Sequence, residues 1–444
     1  MQKKSTSPRS AAKPAEKAAK AGPRAKRSAK PAAAREGSNG ALTIVPPAEP
    51  REVHIASYKS IEDLRFELGR VTILIGENGS GKTNVLEAIA IGGAAAAGKG
   101  GHEFLASRGV RTTEPRFMRP AFPESPPESP IRIETRDAGG NPLSTCALVP
   151  KDGVAPAAWL NAALLTRTME EQEALLQVST ALAADPQLDA LVRHLRSNPD
   201  VPAAGWSAES WFALKKLGTE VMRGKSVSDF LLFAPENTAL RTFQAEGQIL
   251  PLGVKGEGLF AHLRDLAKHN EPILTEIIER LSFLEWFERF EIPKDLGPGE
   301  RSLWIRDRYL AEGAVFDQRS ANEGFLMLLF YLTLFTSPHT PRFFAVDNID
   351  AALNPKLCSR LMETLVSLAK KHGKQAILTT HNPAVLDGLD LHDDEQRLYV
   401  IERDRRGRTR ARRVGPPRPI EGEKPMKLSE AFLRGYIGGL PKNF

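Results

Sequence analysis

The stretch VTILIGENGSGKTNVLEAIA, residues 71–90, decides which fold we expect for this chain. It joins an apolar run to a glycine-rich loop of the form Gly76-x4-Gly81-Lys82-Thr83, which opens into an apolar helix. In such a strand–loop–helix unit the glycines let backbone N–H groups curl around phosphate oxygens, and the helix N-terminus adds partial positive charge. The stretch therefore predicts a phosphate-binding loop in an α/β fold, a P-loop NTPase with a mainly parallel sheet.

The side chains of this loop have predicted roles in binding ATP and Mg²⁺. Lys82 is placed to reach the outer phosphates, and the Thr83 hydroxyl can ligate the metal ion. The predicted nucleotide-binding residues of the loop are Gly76, Asn78, Gly79, Ser80, Gly81, Lys82, Thr83 and Asn84.

A second stretch, RFFAVDNIDAALNP at residues 342–355, reads as a buried strand that ends in a carboxylate. That carboxylate, Asp347, is expected to be the second metal ligand, because the P-loop fold supplies one from a neighbouring strand. The next residue is Asn348, whose amide can orient a water molecule but cannot accept its proton. Two carboxylates remain as candidate bases: Asp350, and Glu323 supplied by a facing subunit.

The rest of the chain divides into four predicted segments. Residues 1–50 are a disordered basic tail with a Pro-rich joint, and residues 51–155 are an N-terminal ATPase segment with a β-hairpin about DAGGN. Residues 156–300 are an inserted helical lobe, with helices expected over WLNAALLTRTMEEQEALLQVSTALAA and ILTEIIERLSFLEWFERF. Residues 301–444 form a C-terminal ATPase segment that begins with the strand SLWIRD and includes a basic hairpin.

The positive charge of the chain lies in its tail. Residues 1–40 contain eleven Lys or Arg and two Glu, whereas the whole chain carries +7, so the remainder is close to neutral. The tail is either a nonspecific DNA-binding arm or a solvated extension. The arginine-rich stretch Arg403–Arg413 is a second candidate for DNA or other anions. Weaker candidates for contacting nucleotide or a partner are Arg241, Lys255 and Glu257. We favour the interpretation that they only stabilise the loops between helices.

Composition also bears on the cellular setting. Two cysteines give neither a disulfide framework nor metal-ligand spacing, which is typical of a reducing, cytoplasmic protein. The longest apolar run, residues 325–335, is too short to span a bilayer, so no membrane role is expected.

Three motifs, taken together, resemble the ABC-class ATPase heads of the SMC, Rad50 and RecF group. VDNIDAALN (346–354) lines up with their D-E-x-D-x-A-L-D pattern, and SANEGFLMLLF (320–330) resembles their signature motif at a helix start. ILTTHNPAVLDGL (377–389) looks like their switch-histidine segment, which would place His381 beside the γ-phosphate. The chain is most similar to compact AAA family ATPase heads of the OLD, RecF and AbiEii-like group, which are often found in anti-phage systems.

The chain departs from the resemblance at three asparagines. Asn348 replaces the usual catalytic glutamate, Asn322 stands two residues before Gly324 where the signature serine is expected, and Asn354 replaces the last aspartate of the pattern. The resemblance implies catalytic roles for Lys82, Asp347, Asn348, Asp350 and His381, and nucleotide contacts from Asn322 and Gly324. Because Asn348 cannot accept a proton, ATP hydrolysis is expected to be slow.

The resemblance further implies a homodimer or higher homo-oligomer, joined head to tail. Its expected role is to control a separate effector, such as a nuclease or toxin, in anti-phage defence. About sixty residues follow His381 and hold no cluster of carboxylates, so no built-in nuclease is expected. Two alternatives stay open: a nucleotide-gated scaffold that hardly hydrolyses ATP, and a RecF-like DNA-repair ATPase.

Overall fold

The computed structural model describes residues 47–126, 128–151, 158–163, 223–241, 251–293, 303–416 and 426–440. The predicted basic tail and most of the predicted helical lobe lie outside the described residues. Within the described ranges, no helix combines the length and the apolarity needed to cross a bilayer.

A six-stranded sheet carries the phosphate loop. Its strand order is β13-β12-β3-β11-β10-β7, in which all neighbours are parallel except β12 and β13. The strands are β3 (Val71–Ile75), β7 (Leu231–Phe233), β10 (Phe343–Val346), β11 (Gln375–Thr379), β12 (Gln396–Arg403) and β13 (Thr409–Val414). The mainly parallel α/β architecture predicted from the sequence is confirmed.

Two further sheets are antiparallel. The larger has the order β2-β1-β4-β5-β6, and its β4–β5 pair is the hairpin predicted about DAGGN. The smaller pairs β8 with β9. Their strands are β1 (Glu52–Tyr58), β2 (Ile61–Glu67), β4 (Ile131–Arg136), β5 (Pro142–Pro150), β6 (Trp159–Asn161), β8 (Phe287–Glu291) and β9 (Trp304–Asp307).

Helices cover both faces of the parallel sheet. The α-helices are α1 (Lys82–Ala96), α2 (His102–Ser107), α3 (Lys225–Ser228), α4 (Asn237–Leu240), α5 (Leu259–His269), α6 (Glu271–Leu281), α7 (Glu323–Thr336), α8 (Pro355–His372) and α9 (Leu428–Leu433). Two 3₁₀ helices span Pro115–Met118 and Pro383–Gly388.

The parallel sheet is hydrophobic on both sides because each face has its own core. Alternate residues of β3 point into different cores: Ile73 packs with α7 and α8, whereas Leu74 packs with α1 and the larger antiparallel sheet. All residues of α7 from Phe325 to Thr336 are buried, which explains why its sequence is apolar all round rather than amphipathic.

Two stretches predicted to be helical in the 156–300 segment are strands instead, and a third strand lies between them. β6 extends the antiparallel sheet, β7 forms the edge of the parallel sheet beside β10, and β8 pairs with β9. The β8 error has an identifiable cause, because a register irregularity between Phe287 and Arg289 puts the buried Phe287 and Phe290 three residues apart. That spacing imitates a helical period. The SLWIRD strand accordingly belongs to the small sheet, not to the parallel one.

Candidate nucleotide-binding site

The phosphate loop connects β3 to α1 at the carboxyl edge of the parallel sheet. At two positions of the loop, neighbouring strands approach so closely that only glycine fits. A Cβ on Gly76 would lie 2.1 Å from the carbonyl oxygen of Ile401, and one on Gly81 would lie 2.3 Å from Thr409 Oγ1. Gly81 also has a φ of +107°, which favours glycine. Packing against the β12–β13 hairpin therefore constrains the conformation of the loop, in addition to the loop's own sequence.

Lys82 is held inside the loop. Its Nζ donates hydrogen bonds to the carbonyl oxygens of Gly76 (2.8 Å) and Glu77 (3.0 Å), and the residue is only 6% exposed. Burial lowers the pKa of Lys82, although the charges of Asp347 and Asp350 oppose that shift. The ammonium thus donates to carbonyl oxygens with which incoming phosphate oxygens would compete.

The two predicted metal ligands lie side by side. Thr83 Oγ1 donates a 2.9 Å hydrogen bond to Asp347 Oδ2, and Thr379 Oγ1 donates to Asp347 Oδ1. The described residues contain no cluster of three His, Cys, Asp or Glu side chains that could hold a metal ion. Mg²⁺ in nucleotide sites usually takes only one or two protein oxygens together with phosphates and water. The Thr83–Asp347 pair therefore fits Mg²⁺ bound together with a nucleotide.

Each asparagine that departs from the resemblance has a local structural role. Asn322 Oδ1 accepts a hydrogen bond from the backbone N–H of Phe325 (2.8 Å) and caps α7. Asn354 Oδ1 accepts from Leu357 N–H (3.0 Å) and caps α8. Asn348 has a φ of +57°, a conformation that asparagine adopts more readily than most residues. All three substitutions are thus consistent with the backbone at their positions.

Asp350 and His381 form one unit at the end of β11. Asp350 Oδ1 accepts hydrogen bonds from Thr380 Oγ1 (2.7 Å) and from the His381 N–H (3.3 Å). Partial burial and the charge of Lys82 lower the pKa of His381, while Asp350 and Asp347 act in the opposite direction. His381 is therefore neutral near pH 7, so its ring has one N–H to donate. Asp350 fixes the turn that carries the histidine, which disfavours the role of a free base.

Several residues beside the loop were missed by sequence reasoning. Ser60 Oγ and Thr409 Oγ1 lie 2.7 Å apart, Thr409 Oγ1 donates to the Ser80 carbonyl (3.0 Å), and Asn84 Nδ2 donates to Ser60 Oγ (2.8 Å). Arg403 Nε donates to the Gly79 carbonyl (3.0 Å). Only Arg403 carried a signal, as part of the arginine-rich stretch; the serine and threonine had none.

A fully buried carboxylate on α1, Glu87, was also missed. It accepts hydrogen bonds from Lys59 Nζ (2.6 Å), Arg111 Nε (2.6 Å) and the Tyr58 hydroxyl (3.2 Å). Burial opposes ionisation, but the hydrogen bond from Arg111 and the nearby Lys59 charge outweigh it and lower the pKa of Glu87. The Arg111 side chain is largely exposed, and its hydrogen bond to Glu87 together with the charges of Glu87 and Asp347 raises the pKa of Arg111.

The signature residues contact the segment that follows Asp347. A Cβ on Gly324 would meet the Ala352 carbonyl at 3.1 Å, and the described residues show no hydrogen bond between Asn322 or Gly324 and the loop. Arg241 holds the segment before α7, because its guanidinium donates to the carbonyls of Gln318, Arg319 and Ala321.

The remaining basic candidates have intramolecular contacts. Lys255 pairs with Glu236 at 3.0 Å, and Glu257 accepts from the Lys255 N–H, as expected for loop chemistry. In the Arg403–Arg413 stretch, the arginines with side-chain partners inside the chain are Arg403, Arg408, Arg410, Arg412 and Arg413. DNA contact by this stretch stays a prediction, as does DNA contact by the tail.

One protein-family model matches this chain. It is described as "AAA domain, putative AbiEii toxin, Type IV TA system" and matches residues 71–141 and 259–387. These two segments are similar to the AAA domain that the family model describes. The matched ranges include the phosphate loop, Asp347 and His381, and the predicted resemblance to AbiEii-like AAA ATPases is confirmed. The chain thus has a P-loop ATPase fold and resembles a family of ATP-binding ATPases.

Solved structures of SMC head domains are similar to this chain at low identity. The SMC head of Thermotoga maritima is 15% identical with a TM-score of 0.40, covering 82% of this chain and 99% of its own. A head bound to the C-winged helix domain of ScpA is 13% identical with a TM-score of 0.45, covering 82% and 97%. These scores add nothing to what the sheet topology establishes. No curated protein matches the sequence.

Proposed function

We propose that this protein is a slow, Mg²⁺-dependent ATPase whose ATP-bound subunits assemble head to tail and control a separate effector. The observation that carries the proposal is the convergence of Lys82, the Thr83–Asp347 pair and His381 at the carboxyl edge of one sheet. These groups match the parts that phosphoryl transfer requires, namely a cation for the outer phosphates, metal ligands and a donor near the γ-phosphate.

The chain's own residues supply positioning and charge stabilisation. Lys82 would exchange its carbonyl partners for phosphate oxygens, and Thr83 and Asp347 would hold Mg²⁺, which neutralises developing phosphate charge. Neutral His381 would donate its ring N–H to the γ-phosphate. Asn348, exposed next to Asp347, would orient the attacking water without accepting its proton. Because no carboxylate occupies that position, turnover should be slow.

Assembly is supported by the resemblance of the signature segment, which places it on the phosphates of a second subunit. Asn322 and Gly324 precede and open α7, whose N-terminus can stabilise negative charge. Among the described residues they make no hydrogen bond to their own phosphate loop, which is consistent with such a contact between subunits. Glu323 would then be brought to the facing site as a candidate base.

The effector role rests on the family and on the resemblance. The matching family carries the words toxin and TA system in its description, and the resembled group occurs in anti-phage systems. The scaffold alternative is favoured by the same Asn348, because a site without a base could bind ATP and assemble with almost no hydrolysis.

The test measures the rate of ATP hydrolysis per subunit as a function of protein concentration. Light scattering measures the molecular mass of the assembly in the presence of ATP and of ADP. We expect the mass to be larger in ATP than in ADP, and the hydrolysis rate per subunit to rise with protein concentration. Asp347→Asn, which keeps shape but weakens the metal site, should abolish turnover. An assembled wild type with no turnover would select the scaffold alternative. Fast turnover in a dilute monomer would contradict both.

A further inference from the structure

A cavity of about 360 Å³ lies at the amino edge of the parallel sheet, opposite the phosphate loop. It is bounded by Leu231 at the start of β7, by residues 338–342 before β10, and by Arg108. That volume falls at the lower end of the range for small-molecule sites. Because parallel strands share one direction, this cavity is separated from the nucleotide site by the length of the strands.

The cavity is positively charged. Among the described lining residues, Arg108, Lys225 and Arg342 are basic and Asp229 is the one carboxylate, which pairs with Lys225 at 2.9 Å. The formal charge of these residues is therefore +2. Within the described part of the chain, neither Arg108 nor Arg342 forms an ion pair, so the single Asp229 charge faces three basic side chains.

Arg108 is fixed in place rather than solvated. The residue is 8% exposed, its Nη1 donates to the carbonyls of Ser228 (2.7 Å) and Phe230 (2.8 Å), and its guanidinium lies 4.6 Å over the Phe104 ring. Its Nε is buried and has no hydrogen-bond partner among the residues that the structure describes. A buried guanidinium with an unsatisfied N–H is costly, and an anion in the cavity would compensate for it.

A further basic residue, Lys374, lies behind the lining residues and adds to the positive potential. Lys374 Nζ donates to the Thr340 carbonyl and hydroxyl (both 2.8 Å) and to the Pro341 carbonyl (3.2 Å), and both of these partners line the cavity. Burial lowers the pKa of Lys374 to about 7, so its proton is held weakly near neutral pH. An anion nearby would favour the charged form of this lysine.

We propose that this cavity binds a small phosphate ester or phosphate dianion, at a site distinct from the phosphate loop. A phosphate group carries about −1.5 to −2 charge at neutral pH, which matches the +2 lining. Guanidinium forks suit phosphate oxygens because they can donate two parallel hydrogen bonds. Anion binding in this cavity does not depend on ATP hydrolysis, so it can be tested independently of the proposed function.

The experiment titrates inorganic phosphate calorimetrically into the Lys82→Ala protein, in which the phosphate loop is disabled. We expect binding of one phosphate per chain. Adding Arg342→Ala, an exposed position, should weaken it at least fivefold. Adding Asp229→Asn, which removes the only lining carboxylate, should strengthen it. The matched control is Arg264→Ala on α5, which removes an arginine outside the cavity and should leave the affinity unchanged.

Absence of binding in the Lys82→Ala background, or equal affinities in the Arg342 and Arg264 variants, would overturn the proposal. Arg108 is kept unchanged because its two carbonyl contacts support the chain before β7. If Lys82→Ala does not fold, wild-type protein saturated with ADP blocks the phosphate loop, and the same three variants are compared in that background.

Discussion

Asn348→Glu restores the carboxylate that the resemblance expects and should accelerate ATP hydrolysis. A general base typically contributes 10²–10⁴-fold, which is about 3–5 kcal/mol of barrier at ~1.4 kcal/mol per tenfold. The opposing term comes from the backbone, because Asn348 has a φ of +57°. A glutamate there should cost about 1 kcal/mol more than asparagine. Even if that strain acts entirely against the reactive pose, the rate should rise at least tenfold.

The matched control is Asn348→Gln, which has the length and the backbone strain of glutamate but no carboxylate. The three proteins are compared by their steady-state rates of phosphate release, at a protein concentration where the wild type is assembled. The Gln variant should release phosphate no faster than the wild type. The Glu variant should also shorten the lifetime of the ATP-bound assembly. Equal rates for Glu and Gln would show that position 348 does not face the attacking water, and that the base lies elsewhere.

Three further predictions concern single side chains. Lys82→Ala should abolish calorimetric ATP binding, because its ammonium is the cation held inside the phosphate loop; wild-type affinity would refute the assignment. Arg241→Ala should lower assembled turnover at least tenfold while ATP affinity in dilute protein is kept, because it frees three charge-assisted contacts before α7. Arg264→Ala is its control. Burial and the neighbouring His339 lower the pKa of His262 to about 4. As pH falls from 6.5 toward 4, the histidine therefore binds a proton in the unfolded chain before it does so in the folded one. The free energy of unfolding measured in urea should fall by about 3 kcal/mol over this range, and the His262→Gln variant should lack that decrease.

The sequence predicted those parts of the site that are contiguous. Gly76 to Thr83 form one loop between a strand and a helix, and Asp347 directly follows an apolar strand, so local pattern was sufficient to find them. Parallel strands place their carboxyl ends at one edge, and this brought Asp347 and Thr83 into hydrogen-bond contact as expected. The roles of Asn322 and Asn354 as helix caps were also visible in principle, since asparagine is a preferred N-cap.

The rest depends on contacts between distant segments. Ser60 and Thr409 meet across 349 positions of sequence, and no local pattern specifies that pair. β7 lies in the segment predicted to be a helical lobe, because a three-residue apolar run has no period of its own and its strand form is set by pairing with β10. The positive φ of Asn348 likewise follows from the turn after β10, not from the residue alone.

The bracing of the phosphate loop by Ser60, Thr409 and Gly439 bears on how the chain matures during synthesis. Gly439 lies against Gly76, so a Cβ placed on it would be 3.4 Å from the Gly76 Cα. That contact is made roughly 350 residues after Asn84 leaves the ribosome. At typical synthesis rates the loop would wait roughly 20–70 s for it. A nascent chain can therefore form β1, β2 and α1 early but cannot assemble the braced nucleotide pocket until Gly439 has emerged. Chains interrupted before that point would be poor ATP binders and would stay out of an ATP-dependent assembly.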